Sequence, residues 1–146
     1  MKAFTITRKV DLPVEKVWEI AGDFKKSPGP GIMVEVENQG DPASQGVGSI
    51  RTITVGKVKV RERLESINAP KSFTYRILSG APMKDHLAKG EFIPQGASTE
   101  IRWTVEFTPK IPGIGWFVAL VTKKAVNRYI DEIEKTSRKQ GIETDT

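Results

Sequence analysis

The chain of 146 residues is long enough for one sizeable core, and it reads as a single domain over 1–146. Hydrophobic residues at 38% and charged residues at 28% describe a folded globule rather than a disordered chain. The absence of cysteine excludes disulfides, thiolate metal sites and a cysteine nucleophile, and the longest apolar run, Ile114 to Val121, is far short of the roughly 20 residues that cross a bilayer. The N-terminal residues alternate like a strand and lack the apolar core of a signal peptide, so a cytoplasmic location is the expectation.

The formal charge of +5 invites a nucleic-acid reading. The densest basic cluster, Lys57, Lys59, Arg61 and Arg63, takes alternate positions of one strand with no aromatic between them, so the stacking half of single-strand recognition is missing. The expectation is no nucleic-acid partner, but a weak attraction for anionic ligands and transient contact with membrane surfaces.

Ala3 to Asp11 alternates and reads as a first strand. Asp11-Leu-Pro-Val-Glu then opens a short helix, with Val14, Val17, Trp18 and Ala21 toward the core. It breaks at Gly22, and Lys25 to Gly31 is an irregular or barely helical connection. Five further strands are expected at Ile32–Asn38, Val47–Val55, Val58–Ile67, Ser72–Leu78 and Asp85–Ile93, and a last one at Thr99–Thr108. Short turns between sequential strands make an antiparallel meander. From Pro112 to Gln140, Ile114, Phe117, Val121 and Ala125, continued by Val126, Ile130 and Ile133, mark one apolar helical face, with Gly141 as the stop. A helix of that length, roughly 40 Å, needs a broad partner, and a curled sheet supplies one.

Alternation also says which side chains face the helix. Val58, Val60, Glu62 and Leu64 share a face, as do Ser49, Arg51, Ile53 and Val55, so a glutamate and an arginine on neighbouring strands both point inward. Phe73, Tyr75 and Ile77 face inward from the fifth strand, and Ile101, Trp103, Val105 and Phe107 from the seventh. In the sixth, His86, Ala88, Gly90 and Phe92 form the inner set, and their small members predict a gap between sheet and helix. Arg51 and Glu62 are then a satisfied internal ion pair, or with Tyr75 and His86 the polar floor of an apolar cavity, or else exposed at a strand end. His86 is the only histidine and lacks neighbours at metal-ligand spacing, so neither a metal nor a cofactor is expected. No Gly-x-Ser-x-Gly, His-Glu-x-x-His, Walker or dinucleotide signature occurs.

Leu12-Pro-Val-Glu-Lys-Val-Trp, Gly46-Val-Gly-Ser-Ile-Arg, Arg61-Glu-Arg-Leu-Glu, Phe73-Thr-Tyr-Arg-Ile and Ile101-Arg-Trp-Thr-Val-Glu-Phe-Thr-Pro come in the order found in the START-like, or SRPBCC, superfamily. Within it the chain resembles the polyketide cyclase/dehydrase-like family, and it is similar to the plant abscisic acid receptors in its Gly-x-Gly-Ser-x-Arg and Glu-Arg-Leu-Glu patterns. The resemblance implies an α+β, Bet v 1-like helix-grip fold. Its seven-stranded antiparallel sheet curls round a long C-terminal helix, and two short helices follow the first strand. It also implies a cavity for a hydrophobic small molecule, with Glu62 at the position of the receptors' inward glutamate and His86 and Ala88 near ligand-facing positions. The turn at Gly56-Lys57 is shorter than the receptors' gating loop, which argues against hormone sensing with a phosphatase partner.

The expected function is binding or carriage of a lipid, isoprenoid or polyketide-like molecule. Phe73, Trp103, Phe107, Phe117, Val121 and Ala125 would enclose its body, and Glu62 with Arg51 would address its head. The alternative is a cyclase or dehydratase using the buried carboxylate with Tyr75 or His86 as acid and base.

Overall fold

Seven strands form one antiparallel sheet in the computed structural model, which describes residues 2–144 and the side chains of 2–43 and 45–139. In chain order the elements are β1 (Lys2–Val10), α1 (Val14–Ala21), β2 (Ile32–Asn38), β3 (Ile50–Val55), β4 (Val58–Asn68), β5 (Ser72–Ser79), β6 (Met83–Gln95), β7 (Ser98–Pro109) and α2 (Gly115–Thr144). The spatial order β1-β7-β6-β5-β4-β3-β2 is a meander from β2 to β7, with β1 returning to pair with β7. Register shifts at Val36/Asn38, Arg61/Glu62, Leu64/Ser66 and Lys84/Leu87 bend the strands, as bulges do. The sheet presents its concave face to α2, and Val126, Ile130 and Ile133 of the expected stripe are buried there.

Several boundaries differ from the expectation. Of the two short helices expected after β1, only α1 forms. The segment 22–31 makes turns instead, because Pro28 and Pro30 carry no N–H, and Gly29 and Gly31 lie so close to the Glu132 carboxyl that a Cβ would strike it. A 3-10 turn at Pro42–Ser44 lies in the loop before β3. β3 starts at Ile50 rather than Val47, since Val47 is drawn into an isolated bridge with Asp41. β6 extends beyond its expected Asp85–Ile93 at both ends. α2 starts at Gly115 rather than Pro112, and it runs through Gly141 to Thr144, a passage that costs only about 1 kcal/mol against alanine.

The gap expected opposite Ala88 and Gly90 is filled. Gly90 pairs with Phe73 on β5 and Trp103 on β7, and a Cβ there would lie 3.2 Å from both rings. The rings occupy the space the small residues leave. Trp18 of α1 packs on them from the other side, with ring centroids 6.3 Å from Phe73 and 5.4 Å from Phe92. Phe73 and Trp103 meet edge to face at 5.5 Å. Each large side chain buried in this way stabilises the fold by roughly 2–3 kcal/mol.

Candidate functional site

At the opposite end of the concave face the packing opens. β3, β4 and β5, the start of β6 and the first turns of α2 enclose a cavity of about 410 Å³. Its wall is mostly aliphatic: Ile53, Val55, Val58, Val60 and Ile77 from the sheet, and Ile114, Val118, Val121 and Ala125 from α2. The mouth lies among the Gly56-Lys57 turn, the Gly80–Pro82 loop and Phe117, whose residues are exposed or half-buried. Gly56, at φ +61, allows the two-residue turn, and Gly80, at φ +96, sits where a Cβ would strike the Lys59 carbonyl oxygen.

The floor is polar. Arg51 and Glu62 stand directly opposite each other on β3 and β4, 2% and 5% exposed. Arg51 Nε donates to Glu62 Oε1 at 3.0 Å, and Nη2 lies 3.0 Å from the same oxygen. Nη1 donates to the Phe24 carbonyl oxygen at 2.8 Å and to Tyr129 Oη at 3.2 Å. The guanidinium also stacks on the Phe24 ring, 3.8 Å from its centroid. Each guanidinium nitrogen of Arg51 therefore has a partner, and the side chain ties the 22–31 connection and α2 to the sheet. Glu62 is not: both bonds end on Oε1, and Oε2 has no partner among the described residues. Burial pushes the Glu62 carboxyl above the ordinary carboxylate range, and the Arg51 guanidinium pulls it part of the way back.

Two further groups complete the floor. The Ile77 N–H donates to His86 Nδ1 at 2.9 Å, which leaves the imidazole proton on Nε2. Burial first, and then the Arg76 charge, depress the His86 pKa to about 4, so the ring is neutral at physiological pH. Tyr75 Oη accepts from Trp103 Nε1 at 3.1 Å, which leaves its own proton free to be donated. Burial is the largest of the influences that push its phenol well above the ordinary range, so it stays protonated. The floor thus presents one acceptor oxygen beside neutral N–H and O–H donors.

Of the candidate residues read from the sequence, Arg51, Glu62, Tyr75, His86, Trp103, Phe117, Val121 and Ala125 stand on the cavity wall. Phe73, Ala88 and Phe107 do not. They are buried, Phe73 within the aromatic cluster. Sequence reasoning passed over Tyr129, Phe24 and Met83. Tyr129 was legible, one turn beyond Ala125 on the same helical face. Phe24 lies in an irregular connection where no periodicity points.

No curated protein matches the chain. Among solved structures, Ara h 8.0201 is 17% identical with a TM-score of 0.73, over 94% of this chain and 98% of that one. A START superfamily protein from Mycobacterium smegmatis is 15% identical with a TM-score of 0.73, over 94% and 98%. Norcoclaurine synthase from Thalictrum flavum, in complex with dopamine and hydroxybenzaldehyde, is 19% identical with a TM-score of 0.69, over 92% and 84%. These likenesses establish the helix-grip fold. Residues 1–135 match the family described as polyketide cyclase / dehydrase and lipid transport, and the chain belongs to that family.

Proposed function

We propose that the protein binds and carries an apolar small molecule of lipid, isoprenoid or polyketide type, seated in this cavity with its polar end on Glu62. The observation that carries the reading is an aliphatic hollow of about 410 Å³ whose floor offers a carboxylate oxygen with no partner among the described residues. Ligand sites typically run from about 300 to 1,000 Å³, mostly apolar with a few convergent polar groups. Val121, Ala125, Phe117 and Trp103 enclose the body of the ligand, while Phe73 and Ala88 adjoin Tyr75 of the wall. A head group with a hydroxyl or enol hydrogen suits Oε2, and a neighbouring oxygen suits the Tyr75 and His86 donors. The lipid transport in the family's description fits this reading, as does the aromatic pair held by norcoclaurine synthase.

Native mass spectrometry of protein purified from its own host tests it directly, by asking whether a small molecule travels with the chain. Glu62→Gln keeps the side-chain shape and an acceptor for Arg51, and is expected to weaken binding of that molecule by roughly tenfold or more. Unchanged affinity together with a collapsed melting temperature would make the ion pair purely structural.

A second reading, acid–base catalysis of cyclisation or dehydration, is favoured by one feature: the raised pKa of a carboxyl that faces the cavity. Turnover of poly-β-keto substrates that disappears in Glu62→Gln supports it. Ligand binding without turnover returns the site to carriage.

A further inference from the structure

The first turns of α2 expose apolar side chains that a water-facing helix ordinarily does not. Trp116 is 67% exposed, Phe117 52% and Leu120 45%, and Ile111 just before the helix is 56%. Trp116, Phe117 and Leu120 share one side of the helix by spacing, and the two rings meet edge to face at 5.9 Å. Trp18 and Trp103, by contrast, are packed into the aromatic cluster. Contiguous exposed apolar surface of this kind marks an interaction site. This one adjoins the cavity mouth, because Phe117 belongs to both.

The rim has one sign of charge. Across 55–59, 79–84 and 107–130, the stretches that frame the mouth, there is no aspartate or glutamate, and Asp85, Glu106 and Asp131 are the first acids beyond them. Lys57 and Lys59 stand exposed on the sheet side of the mouth. Lys110 is held there by its N–H, which donates to the Pro82 carbonyl oxygen at 3.0 Å, and the Lys2 stem lies against Gly115. Lys124 is exposed one turn beyond Leu120.

We infer that this end of the molecule docks on an anionic lipid bilayer, with Trp116, Phe117 and Leu120 entering the interface and the lysines resting on the head groups. An indole with apolar neighbours suits the boundary between head groups and acyl chains, and a basic rim is drawn to anionic lipid. A second copy of this chain fits worse, since pairing the patches would bring two lysine rims together. The docked orientation turns the cavity mouth toward the bilayer. The inference goes beyond the carriage reading and stands without it.

The test is co-sedimentation of the intact protein with vesicles of phosphatidylcholine alone or with about one third phosphatidylglycerol. Binding is expected only with the anionic lipid, and should fall roughly tenfold as salt rises from about 0.05 to about 0.5 M. Lipids brominated near the head group should quench Trp116 and leave the remaining fluorescence of Trp116→Ala unchanged. Trp116→Ala with Leu120→Ala should lose about tenfold or more in partitioning while melting as the wild type does. Lys110→Gln with Lys124→Gln should lose the preference for phosphatidylglycerol. No vesicle binding, binding indifferent to lipid charge and salt, or full binding by the Trp116/Leu120 double variant would overturn the inference. So would a concentration-dependent dimer that disappears in that double variant.

Discussion

The two ends of one concave face solve opposite problems. Under α1, Gly90 is flanked by Phe73 and Trp103, Trp18 closes over them, and ring meets ring. Under the first turns of α2, the side chains coming down are Ile114, Val118, Val121 and Ala125, and about 410 Å³ stays open. Strands β5 and β6 serve both ends. The difference lies in the reach of the opposing helix: an indole spans the distance to the sheet, and a valine or alanine does not. A hollow therefore opens where helix and strands both carry short side chains, and small residues on one strand do not by themselves make one.

Truncation probes that contrast most strongly. Phe73→Ala should cost about 3–5 kcal/mol in urea unfolding, because close-packed neighbours cannot collapse into the void. Val121→Ala, on a wall already open, should cost under about 1 kcal/mol. Equal losses at the two sites would erase the distinction.

Acidity is the next probe, since His86 and Glu62 both lie at the hollow end. The His86 pKa is depressed to about 4, so the folded chain holds its proton less readily than the unfolded chain does. The stability this group contributes is present above about 6.5 and is lost as pH falls toward 4, by at most about 3 kcal/mol. Glu62 has the opposite sign: with a raised pKa its contribution is present at low pH and is lost as pH rises through that value. In His86→Asn, Oδ1 can take the Ile77 N–H in place of Nδ1. Chemical unfolding of that variant from pH 7 to 4 should show a flatter acid limb than the wild type, and an unchanged slope would assign the acid sensitivity elsewhere.

Adding atoms gives the smallest effect of the three. Gly90→Ala presses a methyl into rings 3.2 Å away and should cost about 1–3 kcal/mol. Ala125→Leu grows into open space and should stay within about 1 kcal/mol of wild type, while reducing the room left for a ligand. A melting curve of each variant decides the matter. A tolerated Gly90→Ala would mean the aromatic end is looser than its ring spacings imply.

Much of the site was legible before any coordinates. Alternation along Val58-Lys-Val-Arg-Glu-Arg-Leu was enough to turn Glu62 inward, and the matching pattern in β3 put Arg51 beside it. The helical stripe through Phe117, Val121 and Ala125 likewise lies on the cavity wall. Ala88 and Gly90 misled, because reading one strand at a time hides that Gly90 lies between Phe73 and Trp103. Phe24 was invisible: its ring and carbonyl meet Arg51 only because prolines and glycines fold the 22–31 connection back over the sheet.

The sequence by itself determined the seven strands, the first and last helices, their order and which side chains face inward, since those follow from periods of 2 and 3.6 that any short window reveals. Tertiary structure alone decided where the interior is solid and where it is hollow. It also decided that Glu62 keeps one oxygen unclaimed among the described residues while every donor of Arg51's Nη1 and Nε side is engaged. Filling and pairing depend on distances between residues far apart in the chain, and no local pattern carries those distances.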